Sequence, residues 1–350
     1  MSKRPPQDTY AMKEMSKVKV YQKKSILSIK NEQHLLSKLR HPFMINMTYS
    51  FQDPQNLYIV LDYCAGGDLR FNLSKHKKFN EETIKFIISN IIIILEYLHS
   101  KNVIHRDIKP ENLVFDSKGY LHLTDFGIAR EVIEPVSNDT SGTPGYMAPE
   151  VLFNMPHSFP ADYYALGVIT YELLTGHRPY KAKNRREILE HIISKEINLK
   201  ENDIPNEFDS SICDFINRLL KRKPNERLGS RQRIQEIKKH PWLIDVQWEL
   251  IESRMIDSPF IPEKGDNFDT EYANKEDRIV RASEDYSEIL YKLNASNTFD
   301  GFYFNCYEDS LLKRETFDEN KKHMGIKSFS TASYNNTGLD SDLGIDKANM

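Results

Sequence analysis

Three polar segments recur in a fixed order in the middle of the chain, and their spacing constrains the fold more than any other sequence feature. They read HRDIKPEN at residues 105–112, TDFG at residues 124–127 and TPGYMAPE at residues 143–150. Upstream, Lys13 precedes a predicted helix that carries Glu32. Each segment alone could occur by chance. The whole set in this order predicts one site assembled from distant parts of the chain.

The apolar pattern predicts an α+β chain in two unequal parts. Residues 10–62 contain short apolar runs and one stretch with helical spacing, so we predict short strands around one helix. A Gly-Gly break follows. Residues 68–242 are predicted to be mostly helical, with short strands at 113–115 and 121–123.

The composition excludes a strongly basic protein. There are 48 Lys and Arg residues against 51 Asp and Glu residues, a net charge of −3, so we expect no nucleic-acid partner. The most apolar stretch, residues 86–98, is too short and too polar at its ends to span a bilayer and predicts a buried helix. Three widely spaced cysteines, Cys64, Cys213 and Cys306, favour a reducing compartment. The first residues show no signal-peptide pattern.

The ordered motifs resemble the signature set of eukaryotic protein kinases, over residues 10 to about 242. The Lys-Pro-Glu triplet at 109–111 resembles serine/threonine kinases rather than tyrosine kinases. The resemblance implies a two-lobed fold, with a small β-rich N-lobe and a larger helical C-lobe. It also implies ATP-dependent phosphorylation of Ser and Thr hydroxyls in protein substrates, with Mg²⁺.

The resemblance assigns roles to the motif residues. Asp107 would orient the acceptor hydroxyl and take its proton, and Asn112 and Asp125 would bind magnesium. Lys109 would neutralise the γ-phosphate. Thr143 would tie the peptide-binding loop to the catalytic residues.

ATP would contact several further positions. Lys13 would pair with the α- and β-phosphates while an ion pair to Glu32 holds it in place. The predicted adenine contacts are Ala11, Val114 and the backbone of Asp62 and Cys64. Predicted structural residues are the ion pair of Glu150 with Arg227, and Asp162, which would brace the catalytic loop.

The segment after the core resembles the C-terminal tail of AGC kinases, such as cAMP-dependent protein kinase. Residues 258–262 carry part of this resemblance, and Phe268 would fold back beside the adenine. Phe299 and Phe302 resemble the hydrophobic motif that docks on the N-lobe, although Tyr303 stands at its usual Ser/Thr phosphorylation position. The alternative is a short aromatic patch in a tail without a fixed position.

The activation loop departs from the AGC pattern. Asp139 stands where these kinases carry a phosphorylated Thr, and Arg106 and Arg130 stand where the phosphate-binding arginines lie. We expect Asp139 to act as a fixed negative charge. The alternative is that Thr140 is phosphorylated by an upstream kinase while Asp139 is an ordinary loop acid.

Substrate preference is predicted from three acids. Asp68, Glu111 and Glu172 stand where AGC kinases bind arginines upstream of the phosphoacceptor, so we expect a preference for basic peptides. Each acid alone could equally be an ordinary surface residue. Gly145 replaces a commonly acidic residue, which predicts one weaker arginine subsite.

One family feature does not occur before Lys13. The twelve preceding residues contain no glycine, whereas the family has a G-x-G-x-x-G turn between two strands there. We expect either an incomplete rendering of a longer protein, with an N-lobe that lacks its first two strands, or a shortened isoform of impaired activity. The alternative function is a non-catalytic pseudokinase or scaffold. The predicted segments are an N-lobe remnant at 1–9, the N-lobe at 10–62, the C-lobe at 66–242, the tail at 243–304 and a disordered end at 305–350. We further predict a monomer in the cytoplasm, with the nucleus as an alternative location.

Overall fold

A computed structural model describes five stretches of the chain: residues 9–76, 78–136, 139–180, 185–263 and 286–308. The two predicted lobes are present: a small lobe built on a sheet, and a larger helical lobe. Both belong to one compact unit that extends to Cys306. The α+β kinase-type fold class is therefore confirmed.

The N-lobe sheet is organised around its central strand. That strand, β3 (Asn56–Asp62), buries every second residue against the core, as expected for a strand with one buried face. It pairs antiparallel with β1 (Tyr10–Ser16) on one side and with β2 (Met47–Gln52) on the other. A late strand, β8 (Phe304–Asn305), pairs with β2 and gives the order β1-β3-β2-β8.

The N-lobe contains two helices, so the prediction of a single helix was wrong. The predicted helix is α2 (Ile26–Lys38), and a short helix, α1 (Lys17–Gln22), precedes it. Six residues carry too little periodicity to indicate a helix. Tertiary contacts stabilise α1 instead: Val18 and Val20 are buried, and Lys17 Nζ donates to Asn294 Oδ1 at 3.0 Å.

The C-lobe is organised around the apolar helix α4 (Glu81–Ser100). Asn80 caps it by accepting a hydrogen bond from the backbone N–H of Thr83 at 2.9 Å. By length and composition α4 could cross a membrane, and among the described helices it alone passes that test. However, 78% of its most apolar window is buried in the protein, which is typical of a core helix.

The remaining elements surround α4 and carry the loops of the site. The C-lobe helices are α3 (Leu69–His76), α5 (Pro149–Leu152), α6 (Pro160–Thr175), α7 (Arg185–Ser194), α8 (Ser211–Leu219), α9 (Ile234–Lys238) and α10 (Trp248–Glu252). The short strands pair as β4 (Val103–Ile104) with β7 (Arg130–Glu131) and as β5 (Leu113–Phe115) with β6 (Leu121–Leu123).

The β5–β6 hairpin explains the spacing of the first two motifs. In its register Leu113 faces Leu123, so the residues just outside the hairpin lie side by side. The backbone N–H of Thr124 donates to the carbonyl of Asn112 at 3.0 Å. Two predicted site residues that are distant in sequence, Asn112 and Asp125, are brought to one end of the hairpin in this way.

The tail first returns to the C-lobe through Phe260. The Phe260 ring lies with its centroid 5.2 Å from that of Phe79 and 5.1 Å from that of Phe115. At Gly119, whose φ is +81°, an added Cβ would lie 1.9 Å from the carbonyl oxygen of Phe260. The hairpin turn therefore requires glycine both for its left-handed backbone and for the close approach of the tail.

The end of the tail packs on the N-lobe. Phe299 and Phe302 are both buried, and Gln52 Nε2 donates to the carbonyl of Phe299 at 2.8 Å. The preceding helix, α11 (Ser287–Ala295), carries Asn294, which contacts Lys17 of α1. Predictions for 1–8, for Phe268 and its neighbours, and for a disordered end beyond residue 308 lie outside the described residues.

We expect Phe302→Ala to lower the free energy of unfolding by about 3 kcal/mol, because it removes a buried ring and leaves a cavity. Denaturant unfolding of the variant and of the unmodified protein measures the difference. Tyr291→Ala is the matched control, because that tail ring is 75% exposed. Equal unfolding midpoints for the two variants would contradict a docked hydrophobic motif.

Candidate active site

A buried carboxylate on α6 anchors the loop that carries the first motif. Asp162 accepts hydrogen bonds from the backbone N–H groups of His105 at 3.0 Å and Arg106 at 2.9 Å. The ring of His99 contacts the same carboxylate at 2.9 Å. Burial raises the pKa of Asp162, but these bonds outweigh it and hold the pKa below its ordinary value. Arg106 is thereby held at φ +70°, an uncommon backbone conformation for a non-glycine residue.

The loop directs Asp107 toward two other predicted catalytic residues. Lys109 Nζ lies 2.6 Å from Asp107 Oδ2 and donates to Thr143 Oγ1 at 2.9 Å. Thr143 donates to Asp107 Oδ1 through its hydroxyl at 2.7 Å and its backbone N–H at 3.0 Å. The third motif thus meets the first at one carboxylate.

The same contacts set the charge state of Asp107. Burial raises the pKa of this carboxyl, but the hydrogen bonds from Lys109 and Thr143 lower it more, so the pKa lies below its ordinary value. The group is a carboxylate at neutral pH. It is therefore able to accept a proton from a hydroxyl group placed beside it.

Two side chains could hold a magnesium ion. Asn112 Nδ2 donates to the backbone carbonyl of Asp107 at 2.9 Å, which leaves its amide oxygen as the atom suited to a cation. Asp125 follows the β5–β6 hairpin and has φ +63°. A carboxylate and an amide oxygen are the hard ligands that Mg²⁺ prefers, so the donor set fits the ion. Within the described ranges, no cluster of three or more His, Cys, Asp or Glu residues suggests another metal site.

The predicted lysine–glutamate pair is formed. Lys13 Nζ on β1 lies 2.9 Å from Glu32 Oε1 and 2.8 Å from Oε2 on α2. Burial raises the pKa of Glu32, and Lys13 opposes that shift. Helix α2 is also tied to the segment after Asp125, because Asn31 Nδ2 donates to the carbonyls of Phe126 at 3.1 Å and Ala129 at 2.9 Å.

The predicted adenine contacts lie at the end of β3 and on β5. Ala11 pairs with Leu61 in the β1–β3 register, and Val114 is half-buried on β5. Asp62 Oδ2 accepts a hydrogen bond from Asn46 Nδ2 at 2.8 Å. Burial raises the pKa of the Cys64 thiol to about 12, so this thiol is not a reactive nucleophile.

In the activation segment, Asp139 contacts both predicted arginines. Its Oδ2 lies 2.7 Å from Arg106 Nη1 and 3.9 Å from Arg130 Nη2. Burial raises the pKa of Asp139, but hydrogen bonds from Ser141 and Arg106 outweigh this effect and hold it well below its usual range. The Arg106 side chain is 0% exposed, so Asp139 neutralises a buried charge. Thr140 is partly buried beside it.

A buried ion pair fixes the segment that follows. Arg227 Nη1 lies 2.7 Å from Glu150 Oε1, and Nη2 lies 2.9 Å from Oε2. Arg227 Nη1 also donates to the carbonyl of Pro160 at 2.6 Å. The bidentate pair therefore links the third motif to the start of α6 and to the residues before α9.

The three predicted substrate-binding acids are not all available to a substrate. Glu111 and Glu172 both contact Arg70, with Arg70 Nε 2.8 Å from Glu111 Oε1 and Arg70 Nη1 2.8 Å from Glu172 Oε1. Asp68 instead accepts a hydrogen bond from the backbone N–H of Phe71 at 2.7 Å, at the start of α3. Sequence reasoning missed Arg70. The available signal was a cation two residues after one of three acids expected to line the same cleft.

Comparison with known proteins agrees with this arrangement. Residues 1–243 match the family described as "Protein kinase domain". A "Probable serine/threonine-protein kinase" of Dictyostelium discoideum is 38% identical over 73% of the chain and 55% of its own length. The serine/threonine-protein kinase Sgk2 of Homo sapiens is 34% identical over 84% of the chain and 83% of its own length.

The similarity extends to the kinase named in the sequence resemblance. The cAMP-dependent protein kinase catalytic subunit of Dictyostelium discoideum is 36% identical over 77% of the chain and 41% of its own length. The chain thus spans about half the length of several curated relatives that it matches. With its motifs, its two-lobed fold and these relatives, the chain belongs to the protein kinase family, and the resemblance to AGC serine/threonine kinases is confirmed.

Proposed function

We propose that this protein transfers the γ-phosphate of ATP to Ser or Thr hydroxyls of protein substrates. The observation that carries the proposal is the ionised Asp107 carboxylate, with Lys109 Nζ at 2.6 Å and the Thr143 hydroxyl at 2.7 Å. Asp107 orients the acceptor hydroxyl and takes its proton as the oxygen attacks phosphorus and ADP departs. Lys109 balances the negative charge that develops beside it.

The proposal assigns the nucleotide to the opening between the lobes. Lys13, held by Glu32 at 2.8 Å, contacts the α- and β-phosphates. Ala11, Val114 and the backbone at Asp62 and Cys64 surround the adenine. Asn112 and Asp125 hold Mg²⁺, which when bound neutralises phosphate charge.

The remaining predictions about partners are part of the same proposal. A preference for basic residues upstream of the acceptor follows from the acids Asp68, Glu111 and Glu172, of which Asp68 has no contact to Arg70 among the described ion pairs. An upstream activating kinase, a monomeric state and a cytoplasmic or nuclear location stay predictions.

Asp107→Asn is expected to lower kcat for phosphate transfer by about 10²-fold to 10⁴-fold, because the amide cannot accept the hydroxyl proton. The assay follows labelled phosphate from Mg-ATP into a serine peptide with the full-length protein. Thermal unfolding of both proteins controls for folding. Transfer by the unmodified protein no faster than by Asp107→Asn would contradict the proposal and favour a scaffold.

We also propose that Asp139 replaces a phosphate on the activation loop. Its carboxylate already pairs with the buried Arg106 guanidinium, as an added phosphate would. Asp139→Ala would leave that cation unpaired and release the loop that carries Thr143.

We expect Asp139→Ala to lower kcat/KM about tenfold in protein that carries no phosphate, since one charge-assisted hydrogen bond is worth about 1.5–3 kcal/mol. Thr140→Ala is the matched control and should retain its activity. Full activity of Asp139→Ala, with loss of activity in Thr140→Ala, would instead identify Thr140 as the regulatory site.

A further inference from the structure

Arg70 lies in the centre of the acidic cluster that the sequence assigns to substrate arginines. Its guanidinium contacts Glu111 through Nε at 2.8 Å, and it contacts Glu172 through Nη1 at 2.8 Å and Nη2 at 3.2 Å. It also contacts the Tyr146 hydroxyl. Every polar edge of this guanidinium thus meets a partner supplied by the chain itself.

The surroundings of Arg70 indicate a built contact rather than a loose surface pair. The side chain of Glu172 is 6% exposed and that of Arg70 is 33% exposed. Tyr146, itself buried, donates from its hydroxyl to Glu172 Oε2 at 2.5 Å. Three segments of the C-lobe are held together here: α3, the third motif and α6.

We propose that Arg70 is a specificity-determining residue that closes one arginine subsite of this kinase. An arginine side chain from a substrate would have to displace Arg70 to reach Glu111 and Glu172, and would gain no contact that Arg70 does not already make. The inference rests on the proposed kinase function. It narrows the basic preference to the position served by Asp68.

A second cation beside Tyr146 acts in the same direction. The Arg178 guanidinium lies 5.8 Å from the centroid of the Tyr146 ring, and a Cβ added at Gly145 would lie 2.0 Å from Arg178 Nη1. The position where related kinases commonly have an acid is thus a glycine covered by an arginine. Both arginines reduce the negative potential that an incoming basic residue would meet.

The test uses serine peptides in which a single arginine occupies each upstream position in turn, in an otherwise neutral sequence. The measured quantity is kcat/KM for each peptide divided by kcat/KM for the arginine-free parent. We expect the unmodified full-length protein to show no gain from arginine at the position served by Glu111 and Glu172. Arg70→Ala should raise the ratio about tenfold at that position alone.

Three variants keep the test decisive. Lys75→Ala removes a cation from the same helix, where Lys75 pairs with Glu263 instead, and should leave every ratio unchanged. Arg70→Ala combined with Glu172→Gln should lose the gain, because the buried negative charge is removed. If Arg70→Ala does not fold, Arg70→Gln retains a donor for Glu172 without the positive charge and takes its place.

Binding separates this inference from the proposed function. If no phosphate transfer is detected, fluorescence anisotropy of the same peptides, labelled, gives the arginine-to-parent ratio of dissociation constants without turnover. A folded Arg70 variant whose ratios equal those of the unmodified protein at every position would overturn the inference. So would a strong preference of the unmodified protein for arginine at the position that Glu111 and Glu172 serve.

Discussion

One buried carboxylate, Asp162, determines the shape of the active site. It receives the backbone N–H groups of His105 and Arg106 and thereby fixes a backbone conformation that a free loop would rarely adopt. Because Arg106 is held there, its guanidinium reaches Asp139, and the next residue, Asp107, points toward Lys109 and Thr143. Catalytic and regulatory contacts therefore depend on the same anchor.

The rest of the fold brings other groups to this loop. The β5–β6 hairpin places Asn112 beside the residues that lead to Asp125, and α2 carries Glu32 to Lys13. The tail closes the opposite side of the N-lobe, because β8 extends its sheet and Phe299 and Phe302 pack beneath it. A short helix such as α1 is stable only in this tertiary context.

Much of the site could be predicted from the sequence because its residues occur in motifs with fixed spacing. The ion pairs Lys13–Glu32, Glu150–Arg227 and Arg106–Asp139 are formed between the residues that were named in advance. The α1 helix could not be predicted, since its six residues owe their structure to the tail. Arg70 was missed for a related reason: each acid was interpreted alone, whereas a cation that neutralises two of them is a property of three-dimensional packing.

The dependence of the site on Asp162 is tested most directly by Asp162→Asn, which keeps the size of the side chain but replaces one acceptor oxygen with an amide nitrogen. Steady-state kinetics of phosphate transfer, together with the dissociation constant for ATP, are the measurements. The account predicts that kcat falls by about tenfold or more, because a buried N–H of the catalytic loop loses its partner, while ATP binding changes little. An unchanged kcat in a folded Asp162→Asn protein would contradict it.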